Sequence, residues 1–181
     1  MNAGKPLADI DLATSSGFPP IVADGARVLI LGSLPSQQSL QKNQYYGNPQ
    51  NAFWRIMGQL FGACPELPYS GRTEALRRRR IAVWDVLASS VRPGSMDAAI
   101  DIKSAQANDF EAFFDAYPGV TTICFNGKKA EQLFRRLVWP AMCKRADVLR
   151  LMSLPSSSPA FAAMPFADKL QQWSRVKEVL Q

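Results

Sequence analysis

Four short apolar runs, Arg27 to Leu31, Ile81 to Val86, Val120 to Phe125 and Val148 to Met152, recur along the chain with helical patterns between them. Short runs rich in β-branched residues read as strands, and strands separated by helix-length segments pair in parallel through crossovers. The expected fold class is therefore α/β: a three-layer α/β/α sandwich around a central, mostly parallel four-stranded sheet. Helices are predicted over 51–61, 72–79, 107–116, 128–137 and 166–180. In the first of these, Phe53, Trp54, Met57, Leu60 and Phe61 fall at helical spacing, and Gly62 suits its end.

A length of 181 residues with 47% hydrophobic content fits one domain over 1–181, with 1–18 expected as a loosely ordered N-terminal arm. That arm lacks a basic segment followed by an apolar one, and no run approaches the ~20 apolar residues of a membrane span. Cys64, Cys124 and Cys143 lie far apart without a CxxC pair, which removes a disulfide framework and a four-thiolate cluster built from this chain. The expectation is a soluble, monomeric, cytoplasmic protein.

The chain contains no histidine. Ser-His-Asp and Cys-His nucleophile systems and most zinc sites are thereby excluded. Neither a metal nor a cofactor is expected, and any chemistry falls to amides, hydroxyls, carboxylates or backbone. The balance of 21 Lys+Arg against 15 Asp+Glu, a net charge of +6, suits a polyanionic partner.

Parallel strands joined by right-handed crossovers end on one edge of the sheet, where open α/β folds build their sites. Four loops are expected there: 32–50, 87–97, 126–129 and 153–160. Gly32-Ser33-Leu34-Pro35-Ser36 can aim several backbone N–H groups at one point, to bind an anion or polarise a carbonyl, or can be a plain tight turn. Tyr45 and Tyr46 sit in polar sequence, as a stacking platform for a base or as ordinary loop packing. Asn51 either caps the following helix or does chemistry.

Lys128 and Lys129 stand at a predicted helix N-terminus, where the macrodipole disfavours cations and a phosphate would resolve the conflict; solvated lysines are the alternative. Ser156, Ser157, Ser158 and Pro159 can contact phosphate or form a simple turn. Arg77 to Arg80 precede a strand, lie at the opposite edge, and are read as completing a helix C-terminus.

Taken together, Gly32-Ser-Leu-Pro-Ser36, Gln44-Tyr-Tyr-Gly-Asn-Pro-Gln-Asn-Ala-Phe-Trp54, Val83-Trp-Asp-Val86 with Arg92-Pro-Gly-Ser-Met-Asp97, Phe125-Asn-Gly-Lys-Lys-Ala130 and Leu154-Pro-Ser-Ser-Ser-Pro-Ala160 occur in register along nearly the whole chain. This set resembles the uracil-DNA glycosylase superfamily, and most closely its deoxyinosine (hypoxanthine-DNA) glycosylase branch. The superfamily's first motif usually supplies an Asp or Asn that positions water. Here Leu34 stands at that place, and the resemblance shifts the role to Asn51 with Asn126 in support. The branch commonly has His-Pro where this chain has Asn48-Pro49.

The resemblance implies a monofunctional glycosylase that flips and excises a deaminated base (hypoxanthine, uracil or xanthine) from DNA in base excision repair. It assigns base binding to residues 32–36, Tyr45, Tyr46, Asn48 and Phe53. DNA contacts fall to Lys42, Arg92, Lys128, Lys129, Ser156, Ser157, Ser158 and Pro159. Two other readings stand beside it: a non-catalytic reader of damaged DNA on the same fold, and a nucleotide or small-molecule hydrolase. The sequence lacks the GxGxxG, GxxxxGK[ST] and GxSxG patterns that the last would favour.

Overall fold

The computed structural model describes residues 14–94, 96–142 and 145–181. Positions 1–13 of the expected arm, Ser95 of the Arg92–Asp97 motif and Cys143 lie outside them. The strands are β1 (Thr14–Ser16), β2 (Val28–Gly32), β3 (Ile81–Asp85), β4 (Leu87–Val91), β5 (Gln106–Ala107), β6 (Thr122–Asn126) and β7 (Arg150–Leu154). The helices are α1 (Gln37–Lys42), α2 (Phe53–Phe61), α3 (Tyr69–Arg78), α4 (Phe110–Ala116), α5 (Lys128–Leu137), α6 (Phe166–Trp173) and α7 (Arg175–Glu178).

The four expected strands form one parallel sheet in the order β3-β2-β6-β7. Every residue of β2 and β3 is buried, which is why both read as continuous apolar runs rather than alternating ones. From β2 the chain crosses to β3 on one side and then back over to β6 on the other. Right-handed crossovers in opposite directions place their helices on opposite faces.

Aromatic contacts identify the layers. Phe110 of α4 packs edge-on to Phe134 of α5 at 5.3 Å, and the pair meets Trp84 of β3 and Phe125 of β6. On the opposite face, Phe53 of α2 meets Trp173 of α6 at 6.0 Å. The fold is the expected α/β/α sandwich.

Local chemistry explains where the helices differ from expectation. α2 starts at Phe53 because the Asn51 side-chain oxygen accepts the Phe53 N–H at 2.9 Å, and it stops at Gly62, whose φ of 81° is left-handed. α3 begins directly after Pro68, earlier than expected. α4 begins later, at Phe110, because Asp109 caps the Ala112 N–H at 3.0 Å. The expected helix over 166–180 divides into α6 and α7 at Ser174, whose hydroxyl donates back to the Gln171 carbonyl at 2.6 Å.

Two elements depart from the loops expected at this edge. The loop anticipated over 87–97 begins as β4, the centre of a small antiparallel sheet ordered β1-β4-β5. Its sequence, Leu-Ala-Ser-Ser-Val, reads as polar, yet Ser90 is fully buried with its hydroxyl donating to the Asp101 carbonyl at 3.1 Å. Within 32–50, α1 forms because the Ser36 side chain accepts the Ser39 N–H. Ser39 is its one buried residue, so no apolar periodicity announces it.

Phe134 is fully buried among Phe110, Phe125 and Trp139. Phe134→Ala should destabilise the protein by ~3–5 kcal/mol, read as a lower urea midpoint at an unchanged m value.

Candidate active site

In a sheet ordered β3-β2-β6-β7 the direction of winding reverses beside β2, and the crevice between the carboxyl ends of β2 and β6 is the natural ligand site. A cavity of about 510 Å³ opens there, lined by parts of all four loops expected at that edge. It falls in the ~300–1,000 Å³ range of small-molecule sites. Among the expected residues, Gly32 to Ser36, Tyr45, Tyr46, Asn48, Asn51, Asn126 and Ser156 to Pro159 line it. Asp85, Asp97, Ser39, Met96 and Phe161 join them.

The first wall is the turn that leaves β2. The carbonyls of Gly32 and Ser33 accept the N–H groups of Val86 and Leu87, which ties this turn to the end of β3. Among the described residues, no backbone carbonyl takes the N–H groups of Ser33, Leu34 or Ser36, which leaves donors for a ligand oxygen. The turn is also held from behind by Arg92. This residue was expected to contact DNA, but it is 2% exposed and its guanidinium donates to the carbonyls of Leu34, at 3.2 Å, and Pro35. A cation with five donors serves here as an internal brace for carbonyls that no strand satisfies.

The second wall is aromatic. Tyr45 turns into the core: its hydroxyl donates toward the carbonyls of Phe18 and Pro19, and its own carbonyl accepts the Trp54 indole N–H at 2.9 Å. Tyr46 faces the cavity in a left-handed conformation, φ 53°, which is uncommon for a bulky residue and costs on the order of 1–3 kcal/mol. One face of its ring stacks on Phe53 at 3.9 Å. Phe53 is fully buried and supports Tyr46 from behind rather than walling the cavity. Asn48 accepts the Gln50 N–H and passes the chain to Asn51. Asn51 thus caps α2 and lines the cavity at once, its amide nitrogen unused by protein groups among the described residues.

The third wall is the serine loop. Asn126, at the end of β6, donates its amide N–H to Ser157 Oγ at 2.8 Å and accepts the Ser157 backbone N–H at 2.8 Å. The Ser157 carbonyl in turn accepts the Ala52 N–H at 2.9 Å. Ser157 is therefore 1% exposed and fastens β6 to the start of α2, while Ser156, Ser158 and Pro159 stay at the rim. Gly127, at φ 94°, has to lack a side chain because a Cβ would lie 2.9 Å from Ser156. Trp173 and Lys169 anchor the loop further along, at the carbonyls of Pro155 and Phe161.

Lys128 and Lys129 open α5 as expected but lie outside the cavity lining. Lys42 donates to the Gly47 carbonyl at 2.8 Å and steadies the tyrosine loop. Arg77 and Arg78 occupy the last turn of α3, ahead of β3 and at the far edge, as read from the sequence.

Asp85 is the residue that sequence reasoning left without a role. It ends β3 opposite Gly32, is 3% exposed, and lines the cavity. A Cβ on Gly32 would sit 2.3 Å from Asp85 Oδ1 and 3.1 Å from the Tyr46 hydroxyl, so glycine is required there by space rather than by backbone angle. Burial, and secondarily the charge of Asp97, push the Asp85 carboxyl up to about 7; Arg92 pulls it partly back. A lone carboxylate at the end of an otherwise apolar strand is the signal that could have found it.

The sign of that shift gives a stability test. Asp85 holds its proton in the folded state between 3.8, its ordinary value, and about 7, while the unfolded chain releases it, so stability falls as pH rises through that window. Asp85→Asn removes the ionisation and keeps the shape. Its thermal midpoint relative to wild type should rise from pH 4 to about 7 and then level off. A constant difference across that range would contradict the assignment.

Comparison with known proteins agrees with this geometry. Residues 19–180 match the family profile of the uracil DNA glycosylase superfamily. Proteins named hypoxanthine DNA glycosylase from Methanosarcina barkeri and Methanosarcina acetivorans are each 42% identical to it over 115 residues, 63% of this chain and 72% of theirs. A solution NMR structure from Methanosarcina acetivorans, described as a uracil DNA glycosylase candidate, superposes with a TM-score of 0.77 at 35% identity, covering 93% of this chain and 99% of that one. The chain belongs to the uracil DNA glycosylase superfamily and with it to the hydrolytic DNA glycosylases.

Proposed function

We propose that the protein excises a deaminated base, hypoxanthine foremost and uracil or xanthine as further candidates, from DNA by attack of water on the N-glycosidic bond. The observation that carries this reading is the convergence on one cavity, at the winding reversal, of Asn51, the Tyr46 ring and the N–H groups of Ser33, Leu34 and Ser36, which no backbone carbonyl takes among the described residues. The identity to proteins named hypoxanthine DNA glycosylase supports the base.

In this mechanism the nucleotide leaves the duplex, at a cost of a few kcal/mol that is least at a mispair. Its base lies on the face of Tyr46 that Phe53 does not cover. As the glycosidic bond breaks, the electron pair departs with the base, and the backbone N–H groups of the β2 turn stabilise the growing negative charge. The sugar carbon becomes cationic, and Asn51 orients a water toward it through its amide. A water so placed needs no strong base, because the cation draws its oxygen and the proton leaves after addition.

Asn126 holds the Ser157 loop with one N–H and its carbonyl oxygen, which leaves its second N–H toward Tyr46 and the cavity in support of Asn51. Among the described residues no lysine lines the cavity, and Lys169, in the neighbouring cleft, donates its amine to the Phe161 carbonyl at 2.7 Å. The reaction therefore stops at the abasic site, without a Schiff base and without strand cleavage.

Labelled duplexes carrying one deoxyinosine, deoxyuridine or deoxyxanthosine, treated with alkali after incubation, test the reading. Strand breaks are expected only after alkali. Asn51→Ala should lose on the order of 10²-fold or more in single-turnover rate while keeping its DNA affinity. Tight binding without base release by the wild type would instead identify a non-catalytic reader of damage. Lys128→Gln should lower the slope of log affinity against log salt by about 1 and leave the rate at saturation unchanged.

A further inference from the structure

Asp85 is built as no purely structural carboxyl would be. It is almost wholly buried, yet among the described residues its Oδ2 has no hydrogen-bond partner. The Asn108 amide, which lies close by, donates instead to the Asp85 backbone carbonyl at 2.8 Å. A buried polar group left unsatisfied costs about 1–3 kcal/mol, and such groups in native proteins call for an explanation. The missing side chain of Gly32 makes room for the carboxyl, since a Cβ there would lie 2.3 Å from Asp85 Oδ1 and 3.1 Å from the Tyr46 hydroxyl; that hydroxyl is buried beside the Asn126 amide, with no well-formed hydrogen bond among the described residues.

We propose that Asp85, as a neutral carboxylic acid, donates a hydrogen bond to the exocyclic carbonyl oxygen that deamination creates on the target base, and so selects against the amino parents adenine and cytosine and steadies the leaving group. This rests on the glycosylase reading above. Hypoxanthine, uracil and xanthine carry a carbonyl oxygen where adenine, cytosine and guanine carry an amine. An O–H donor aimed at O6 of hypoxanthine or O4 of uracil meets an amine on adenine or cytosine; guanine and thymine carry a carbonyl at the same positions, so this bond discriminates against the amino bases alone. When the C1′–N bond breaks, the electron pair enters the base and spreads onto that oxygen, so the hydrogen bond strengthens in the transition state; Asp85 keeps its proton. An ionised Asp85 would face the departing anion with like charge.

The surroundings keep the acid neutral. Facing it are Tyr45 and Tyr46 from the loop before α2, Tyr69 from α3, and Arg92 and Asp97 from the loop after β4. Of these only Arg92 favours ionisation, and its two hydrogen-bonded arms are directed to the carbonyls of Leu34 and Pro35. The carboxyl accordingly ionises at about 7 in the free protein.

The test is single-turnover base release from a deoxyinosine duplex at subsaturating enzyme between pH 5.5 and 8.5, which reports the free protein. Wild-type rate should fall by about tenfold per pH unit above about 7. Asp85→Asn, which keeps an N–H donor and cannot ionise, should lose that fall, its rate, lowered or not, holding level through pH 7, and should release base faster than Asp85→Leu. Asp85→Leu should lose on the order of 10²-fold on deoxyinosine without losing DNA affinity. A wild-type rate that rises through pH 7, an unchanged fall in Asp85→Asn, or a full rate in Asp85→Leu would each overturn the role of Asp85 while leaving the glycosylase reading intact. Absence of base release by the wild type from any lesion at any pH would overturn both. Urea midpoints of the two variants separate loss of folding from loss of function.

Discussion

The paired hydrogen bonds between Asn126 and Ser157 hold the carboxyl edge of the sheet together. Through them the end of β6 grips the serine loop, and through the Ser157 carbonyl that loop grips the first N–H of the α2 entry. Asn51, Tyr46 and Phe53 all derive their positions from that entry. Three segments far apart in sequence thus meet at one buried residue, Ser157, through its hydroxyl, its N–H and its carbonyl, and the cavity exists because they do. An asparagine suits the place because a single planar amide supplies a donor and an acceptor toward the same residue.

The sheet was legible because β2 and β3 are covered on both faces and so carry uninterrupted apolar sequence. Parallel crossovers then put the strand ends, and with them the four loops, on one edge; the strand order, and so the position of the crevice along that edge, came from the structure. What escaped were elements whose burial is achieved by polar groups. β4 buries Ser90 by bonding it to Asp101, and α1 is set by a serine cap with no apolar stripe behind it. Neither leaves a hydrophobic period to read.

The site shows the same division. Backbone loops and the tyrosine pair could be placed from sequence, because glycine, proline and aromatic residues in polar stretches announce themselves. The direction in which a charged side chain points could not. Arg92 reads as a DNA contact from a loop at the site's edge, yet it turns inward to brace the carbonyls of Leu34 and Pro35. Asp85 drew no role from the sequence, yet it is shut in by Gly32, Tyr46 and Asp97. Burial of a charge is a property of the assembled fold, and periodicity carries no record of it.

A chain without histidine has no side chain whose ordinary ionisation lies near neutrality. Here burial moves an aspartate into that range. The displacement has a price, since a carboxyl kept from water and from partners weakens the fold as it ionises. The same edge bears a left-handed tyrosine and an unsatisfied phenol. All three burdens fall on residues that line one cavity, and the buried strands and aromatic layers behind it supply the stability that lets them persist. The pattern marks a site shaped for a ligand: among the described residues, the Asp85 and Tyr46 oxygens at this cavity are withheld from the protein's own well-formed hydrogen bonds, and on the proposed mechanism they are left for the base.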